Sequence, residues 1–115
     1  EACEKSQSVV FLSLLVCYLY MGKHYVYILT NQHRTTFYIG MTNNLYRRLR
    51  EHIDKVNKGF TQRYNINVLL YFELFESRSE AIKREKQIKK FRREKKLDLV
   101  KTQNPKMISL NKWFE

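Results

Sequence analysis

The chain has 115 residues and a formal net charge of +11, from 22 Lys and Arg against 11 Asp and Glu. This length favours one domain with a modest core, and a composition that is 43% hydrophobic and 29% charged argues against wholesale disorder. So large a positive charge predicts an acidic partner, such as nucleic acid, an anionic membrane or an acidic protein.

The first 20 residues differ from the rest of the chain. They hold both cysteines, Cys3 and Cys17, and an apolar run of twelve residues, Val9–Tyr20, which is too short to span a bilayer. Their net charge is −1, so the other 95 residues carry +12. We expect residues 1–20 to lie outside the working domain, which then spans residues 21–115; a short anchor or an extra packed helix is the alternative. A body without cysteine suits a reducing, cytoplasmic compartment.

The next segments predict a β-hairpin followed by a helix. His24–Thr30 and Thr35–Met41 are rich in β-branched and aromatic residues, and the polar stretch between them is short enough for an antiparallel turn. Thr42, Asn43 and Asn44 are candidate N-caps, and Lys58-Gly59 is the expected end of the helix. Between them, apolar residues recur at the spacing of an amphipathic helix: Leu45, Leu49, Ile53 and Val56.

The second half of the chain predicts one more strand and two helices. Val68–Phe75 is a continuous apolar run and indicates a buried strand, and Arg78–Lys90 predicts a helix. After a break, a shorter helix is expected over Glu94–Thr102, ended by Asn104-Pro105, and residues 110–114 are expected to pack back onto the core. The predicted fold is an α/β (α+β) domain of order ββαβαα, with a small, three-stranded, mainly antiparallel sheet flanked by helices.

Five side chains stand out as candidates for chemistry. Tyr27 and Tyr38 lie on the two hairpin strands, and Arg48 and His52 share one face of the first helix at positions i and i+4. Glu85 falls on the inward apolar stripe of the second helix, where a carboxylate needs a partner, either an arginine or a metal ion. Taken singly, these residues are equally consistent with core tyrosines, a solvated helix flank and a structural salt bridge.

Together they resemble the GIY-YIG nuclease superfamily over residues 23–114. Tyr25-Val26-Tyr27 stands where the family has Gly-Ile-Tyr. Tyr38-Ile39-Gly40 follows, and the two key tyrosines are eleven positions apart. The family's arginine, histidine, metal-binding glutamate and C-terminal Asn-Pro match Arg48, His52, Glu85 and Asn104. The similarity is greatest to the small, stand-alone bacterial members of this superfamily, which are excinuclease C-like.

The resemblance implies a metal-dependent endonuclease that hydrolyses phosphodiester bonds in DNA, in repair or recombination, with structure-directed or weakly sequence-specific binding. Glu85 would hold one Mg²⁺ or Mn²⁺, and Arg48 would bind the scissile phosphate. Tyr27, Tyr38 or His52 would be the general base, and the choice stays open. A phenol in this role needs a nearby cation to lower its pKa, and Arg48 and the metal are the expected sources. Residues expected to support the site are Tyr25, Gly40 and Asn104.

The remaining positive charge is expected to grip the DNA backbone without reading sequence. The residues predicted to do so are Arg47, Arg50, Lys86, Lys89, Lys90, Arg92, Arg93, Lys95 and Lys96. The expected partner is DNA, with RNA left open, and the protein is expected to be a cytoplasmic monomer or weak homodimer without stable membrane insertion. The alternatives are a non-catalytic nucleic-acid-binding module of the same fold, or a module that binds membrane surfaces or other proteins.

Overall fold

The computed structural model describes residues 23–54 and 65–114. In chain order the elements are β1 (His24–Thr30), β2 (Phe37–Thr42), α1 (Leu45–Ile53), β3 (Val68–Phe75), α2 (Arg78–Lys89), α3 (Arg93–Gln103) and a short 3₁₀ helix (Asn111–Phe114). This is the predicted α+β fold of order ββαβαα. The predictions for residues 1–20 and for the end of the first helix at Lys58-Gly59 lie outside the described residues.

The sheet has the strand order β2-β1-β3, and both pairs are antiparallel. The central strand β1 places Tyr27 opposite Gly40 on one side and opposite Phe72 on the other. A register shift interrupts the β1–β3 pairing between Ile28 and Leu29. The centre of β1 is therefore enclosed by neighbours on both edges, which makes it a rigid base for a site.

The alternation of side chains along β1 divides the core into two clusters. Tyr25, Tyr27 and Leu29 join one cluster with Leu45 and Leu49 of α1. On the opposite face, Val26 and Ile28 of β1 belong to a second cluster with residues of both C-terminal helices. These are Ala81 and Ile88 of α2 and Val100 of α3. Because a strand points successive side chains to opposite faces, α1 covers one face of the sheet, and α2 and α3 cover the other.

The strand β2 begins two residues later than predicted, and a single side chain explains the difference. The Asn31 Oδ1 atom accepts hydrogen bonds from the backbone N–H groups of Thr35 and Thr36 at 2.9 and 3.4 Å. These two N–H groups are therefore bound within the turn and are not available to the strand ladder. The start of α1 agrees with the prediction, since the Asn44 Oδ1 atom caps it by accepting from the N–H of Arg47 at 3.0 Å.

The predicted break between the last two helices is confirmed. α2 ends at Lys89 and α3 begins at Arg93. An arginine ties α2 to the sheet, because the Arg84 Nε and Nη2 atoms donate to the two carboxylate oxygens of Glu73 at 2.9 and 3.0 Å. This bidentate pair fixes the helix turn that also carries Glu85. Among helices in the described part of the chain, none combines the length and apolar character needed to cross a membrane.

The outer edge of β3 is covered by side-chain amides from the C-terminal segment. The Gln103 side chain accepts from the N–H of Phe72 at 3.2 Å and donates to its carbonyl at 3.0 Å, as a neighbouring strand would. The Asn111 Oδ1 atom accepts from the N–H of Leu69 at 2.7 Å. Asn104, expected to support the site, makes its contacts here: Nδ2 donates to the Leu70 carbonyl at 3.0 Å. These amides close an edge that would otherwise be open to another strand.

Candidate active site

Tyr27 lies at the centre of the sheet and is only 1% exposed. Its phenol crosses directly over Gly40 on the neighbouring strand. A Cβ atom at position 40 would lie 2.4 Å from the Tyr27 Oη and 2.5 Å from its Cζ, so no other residue fits there without displacing the ring. Gly40 is therefore needed because it has no side chain and leaves space for the Tyr27 ring, and not because of its backbone flexibility.

Arg48 of α1 connects this buried phenol to solvent. Its Nε donates to the Tyr27 Oη at 3.3 Å, and its Nη1 pairs with Glu51 at 3.1 Å. The Arg48 guanidinium also interacts with the Tyr38 hydroxyl, and these phenols raise the pKa of Arg48 further above its usual range. With 32% of its side chain exposed, Arg48 is a fixed cation between two tyrosines and the surface.

His52 lies one helical turn after Arg48 and packs against both tyrosines. Its ring centroid is 6.2 Å from that of Tyr27 and 5.4 Å from that of Tyr38, and the two tyrosine rings are 6.4 Å apart. Both His52 ring nitrogens are buried, and neither has a hydrogen-bond partner among the described residues. Burial, followed by the Arg48 charge, lowers the pKa of His52 to about 4, so the imidazole is neutral at pH 7.

The electrostatics of Tyr27 differ from the sequence-based expectation. A nearby cation was expected to lower the pKa of the catalytic phenol, and Arg48 does act in that direction on Tyr27. Burial outweighs it and raises the pKa of Tyr27 to about 12, with smaller increases from Tyr38 and Glu85. Tyr27 is therefore a neutral phenol that accepts a hydrogen bond from Arg48.

Glu85 belongs to the same neighbourhood, because its charge acts on Tyr27. Its side chain is 21% exposed, and its carboxylate is paired with Lys89 on the same helix at 3.3 Å. The sequence suggested an arginine or a metal ion as its partner; the arginine next to it in sequence, Arg84, instead binds Glu73. A lysine one turn further along α2 satisfies the carboxylate because positions i and i+4 share a helix face.

The donor set around Glu85 limits how a metal could bind. No group of three or more His, Cys, Asp or Glu side chains in the described ranges is arranged to hold an ion. A single carboxylate still suits Mg²⁺ or Mn²⁺, which favour oxygen ligands; Mg²⁺ in particular keeps several waters and is often held by one or two carboxylates plus substrate phosphate. The residues present therefore fit a hard ion that relies on its substrate for further ligands.

An open cleft of about 510 Å³ lies beside these residues. Arg48 is the one predicted catalytic residue that lines it; Tyr27, Tyr38, His52 and Glu85 do not. Arg47, which was predicted to bind nucleic acid, lines it too, together with Arg78, which the sequence reasoning did not single out. Arg78 was predicted only as the first residue of a helix, because its position beside the α1 arginines depends on the tertiary fold.

The residues predicted to grip the DNA backbone are mostly exposed, and several have partners within the protein. The Arg93 Nη1 and Nη2 atoms donate to the carbonyls of Thr35 and Arg34, both at 2.9 Å, so its guanidinium fastens the β1–β2 loop. Arg50 is 3.9 Å from Asp54. Those that are exposed are Arg47, Arg50, Lys86, Lys89, Lys90, Arg92, Arg93 and Lys95, whereas Lys96 is partly buried.

Tyr25, expected to support the site, is a core residue in this structure. It is 9% exposed and belongs to the cluster beneath α1. Its ring centroid lies 6.5 Å from that of Phe72 on β3. The first tyrosine of the motif therefore packs the sheet, and the last one, Tyr27, reaches Arg48.

Comparison with known proteins places these residues in a wider context. Residues 23–98 match the family model of the GIY-YIG catalytic domain. The chain is 43% identical to a UPF0213 protein of Syntrophus aciditrophicus over 86 residues. The aligned region covers 74% of this chain and 97% of the relative. It is 39% identical over 80 residues to a UPF0213 protein of Staphylococcus haemolyticus, covering 70% of this chain and 96% of that one.

A solved structure is also similar. The solution NMR structure of a UPF0213 protein from Bacillus halodurans is 30% identical and has a TM-score of 0.49. The match covers 73% of this chain and 88% of that chain. The five predicted catalytic residues, from Tyr27 to Glu85, all lie within the range matched by the family model.

Proposed function

Because this chain belongs to the GIY-YIG nuclease superfamily, with small UPF0213 proteins among its relatives, we propose that it is an endonuclease that hydrolyses phosphodiester bonds in DNA with one Mg²⁺ or Mn²⁺ ion. We propose a cytoplasmic role in repair or recombination, performed by residues 21–115 as a monomer or weak homodimer. The observation that carries the proposal is the convergence of Arg48, two phenols and a neutral imidazole, with a carboxylate close enough to influence Tyr27.

Arg48 is the residue proposed to bind the scissile phosphate. Its contacts with Tyr27 and Glu51 hold the guanidinium in one orientation, while a third of the side chain remains open to solvent. A planar guanidinium can donate two parallel hydrogen bonds to phosphate oxygens and stabilise the charge that develops during hydrolysis. The buried Tyr27 is thus a positioning residue for Arg48.

Tyr38 is the tyrosine proposed as the general base: once its hydroxyl has lost its own proton to solvent, the phenolate takes the proton of the attacking water. It is partly exposed, whereas Tyr27 is 1% exposed, so Tyr38 is the tyrosine that water on a bound substrate can reach. The Arg48 guanidinium interacts with the Tyr38 hydroxyl, so a cation lies beside the oxygen proposed to accept the proton. The neutral His52 ring packs 5.4 Å from the Tyr38 ring and keeps it in place without adding charge.

Glu85 is the residue proposed to hold the divalent cation. Its carboxylate supplies one hard oxygen ligand, and phosphate oxygens and waters would complete the shell. When bound, the ion neutralises phosphate charge and stabilises the leaving oxygen. Metal binding at Glu85 competes with the Lys89 ammonium group, which is paired with Oε1 and is 54% exposed.

A non-catalytic nucleic-acid-binding module is the second candidate function. One observation favours it: Glu85 is already paired with Lys89, which opposes metal-dependent chemistry until an ion displaces the lysine. Such a module would use the same exposed lysines and arginines to bind backbone phosphates, and its affinity would fall steeply with salt.

Nicking of supercoiled plasmid DNA distinguishes the two functions. We expect the parent protein to nick the plasmid with Mg²⁺ or Mn²⁺ and to stop when a chelator is added. Glu85→Ala and Arg48→Ala should each abolish nicking and keep a folded circular dichroism spectrum. The matched control is Glu80→Ala, which removes an exposed carboxylate from the same helix and should leave nicking unchanged. A parent that binds DNA but cuts none with either ion would establish the binding module instead.

A further inference from the structure

The cleft and the candidate active site share one residue, Arg48. Residues of α1 and α2 line the cleft on two sides, with Arg47 and Arg48 from one helix and Arg78 from the other. Arg48 also donates to the Tyr27 Oη, so the cleft begins where the proposed site for the scissile phosphate ends. Whatever binds in the cleft is therefore a direct neighbour of that phosphate.

The cleft has an excess of unneutralised positive charge. Glu51 is the one acidic residue among its lining residues, and it is paired with Arg48 at 3.1 Å. Arg47 and Arg78 are both exposed, and within the described part of the chain neither makes an ion pair or a side-chain hydrogen bond. Two free guanidinium groups that face one open space from different helices suit an anion with several oxygens.

We propose that Arg47 and Arg78 bind the DNA backbone phosphate next to the scissile one. This inference rests on the proposed endonuclease function, because the position of the scissile phosphate at Arg48 determines which phosphate reaches the cleft. The ligand is a phosphodiester of the same strand, since the cleft is continuous with the site and an approaching strand must carry its next phosphate along this wall. Arg47 and Arg78 thereby set the direction in which the strand runs.

Charge-removing variants test the proposal on a short DNA duplex that the parent cuts. Arg47→Gln and Arg78→Gln should each raise KM about tenfold and leave kcat close to that of the parent, because the lost contact is a charged hydrogen bond away from the reacting atoms. Lys106→Gln removes the same charge from an exposed turn outside the cleft and should leave KM within about twofold of the parent.

A neutral methylphosphonate linkage, placed in turn at each position flanking the scissile bond, identifies the phosphate itself. At one adjacent position the linkage should raise the KM of the parent as much as Arg78→Gln does. The KM of the Arg47→Gln, Arg78→Gln double variant should be the same with and without that linkage. The proposal is overturned if both single variants behave like Lys106→Gln, or if the double variant responds to the linkage as fully as the parent does.

Binding without cleavage separates this proposal from the endonuclease function. Fluorescence anisotropy in the presence of chelator gives Kd for each variant whether or not the parent cuts, on a short duplex and on copies of it that carry one methylphosphonate at each linkage in turn. The phosphate site in the cleft is supported, even if no cutting is seen, if both arginine variants bind more weakly than the parent and if the same single linkage accounts for the loss in each. Cutting by the parent combined with unchanged Kd and KM in both variants would reject the cleft and retain the endonuclease.

Discussion

The Lys89 Nζ atom lies 3.3 Å from the Glu85 Oε1 atom, one turn along α2. The carboxylate proposed to hold a metal ion therefore already has a positive partner. Because Lys89 is 54% exposed, this ion pair stabilises the fold by less than about 1 kcal/mol. A divalent cation can therefore displace Lys89 from Glu85. The strength of the ion pair helps to determine the cation concentration at which this happens.

Removing the lysine should make the metal bind more readily. We expect Lys89→Met to lower the Mg²⁺ concentration that gives half-maximal cleavage by up to about fivefold, which corresponds to the free energy of the lost competing pair. Lys86→Met is the control, since it removes an exposed charge from the same helix but no partner of Glu85. Equal Mg²⁺ midpoints in the two variants would show that Lys89 does not compete with the ion.

A methyl group at position 40 should disturb the site through Tyr27. Since the added Cβ would lie 2.4 Å from the Tyr27 Oη, Gly40→Ala must displace the ring and with it the hydrogen bond to Arg48. We expect a loss of about 1–3 kcal/mol in the free energy of unfolding, measured in urea, and at least a tenfold lower kcat. In a Tyr27→Leu background the same change should cost less stability, and an equal cost in both backgrounds would contradict the contact.

Arg48 should not tolerate replacement by lysine. Lysine keeps the charge but loses both the Nε–H that binds Tyr27 and the planar fork that matches a phosphate. We expect Arg48→Lys to lower kcat about 10²- to 10³-fold, close to the effect of Arg48→Ala, with little change in unfolding free energy. Retention of more than about a tenth of parental kcat in Arg48→Lys would mean that charge alone is sufficient.

Local pattern predicted the elements that carry the site, whereas long-range contacts determined its details. The bounds His24–Thr30 and Val68–Phe75 agree with the structure because β-branched and aromatic residues mark these strands directly. The pairing of Glu85 with Lys89 rather than an arginine was missed because Arg84 is drawn to Glu73, which comes from a strand eleven residues earlier. Periodicity also cannot show that a ring covers Gly40.

The buried imidazole of His52 should make stability depend on pH. Its pKa is lowered from 6.5 to about 4, so the unfolded chain takes up a proton at a higher pH than the folded one. The free energy of unfolding therefore keeps the full contribution of the neutral His52 ring above pH 6.5. It loses this contribution, on the order of 3 kcal/mol, as the pH falls towards 4. Urea unfolding at several pH values should show a flatter profile for His52→Leu across this window. An unchanged profile would mean that His52 is not buried as the neutral form.

Asn104 and Gln103 should affect folding and leave catalysis alone, although Asn104 matches a family motif. Asn104 donates to the Leu70 and Ile108 carbonyls at 3.0 and 2.7 Å, and Gln103 bonds both backbone groups of Phe72. Alanine at either position leaves buried backbone groups without partners, which costs about 1–3 kcal/mol. We therefore expect Asn104→Ala and Gln103→Ala to lower the urea midpoint by similar amounts and to keep parental kcat at a temperature where both are folded. A loss of kcat confined to Asn104→Ala would assign that amide to the active site, because Gln103 serves as its structural match on the same strand edge.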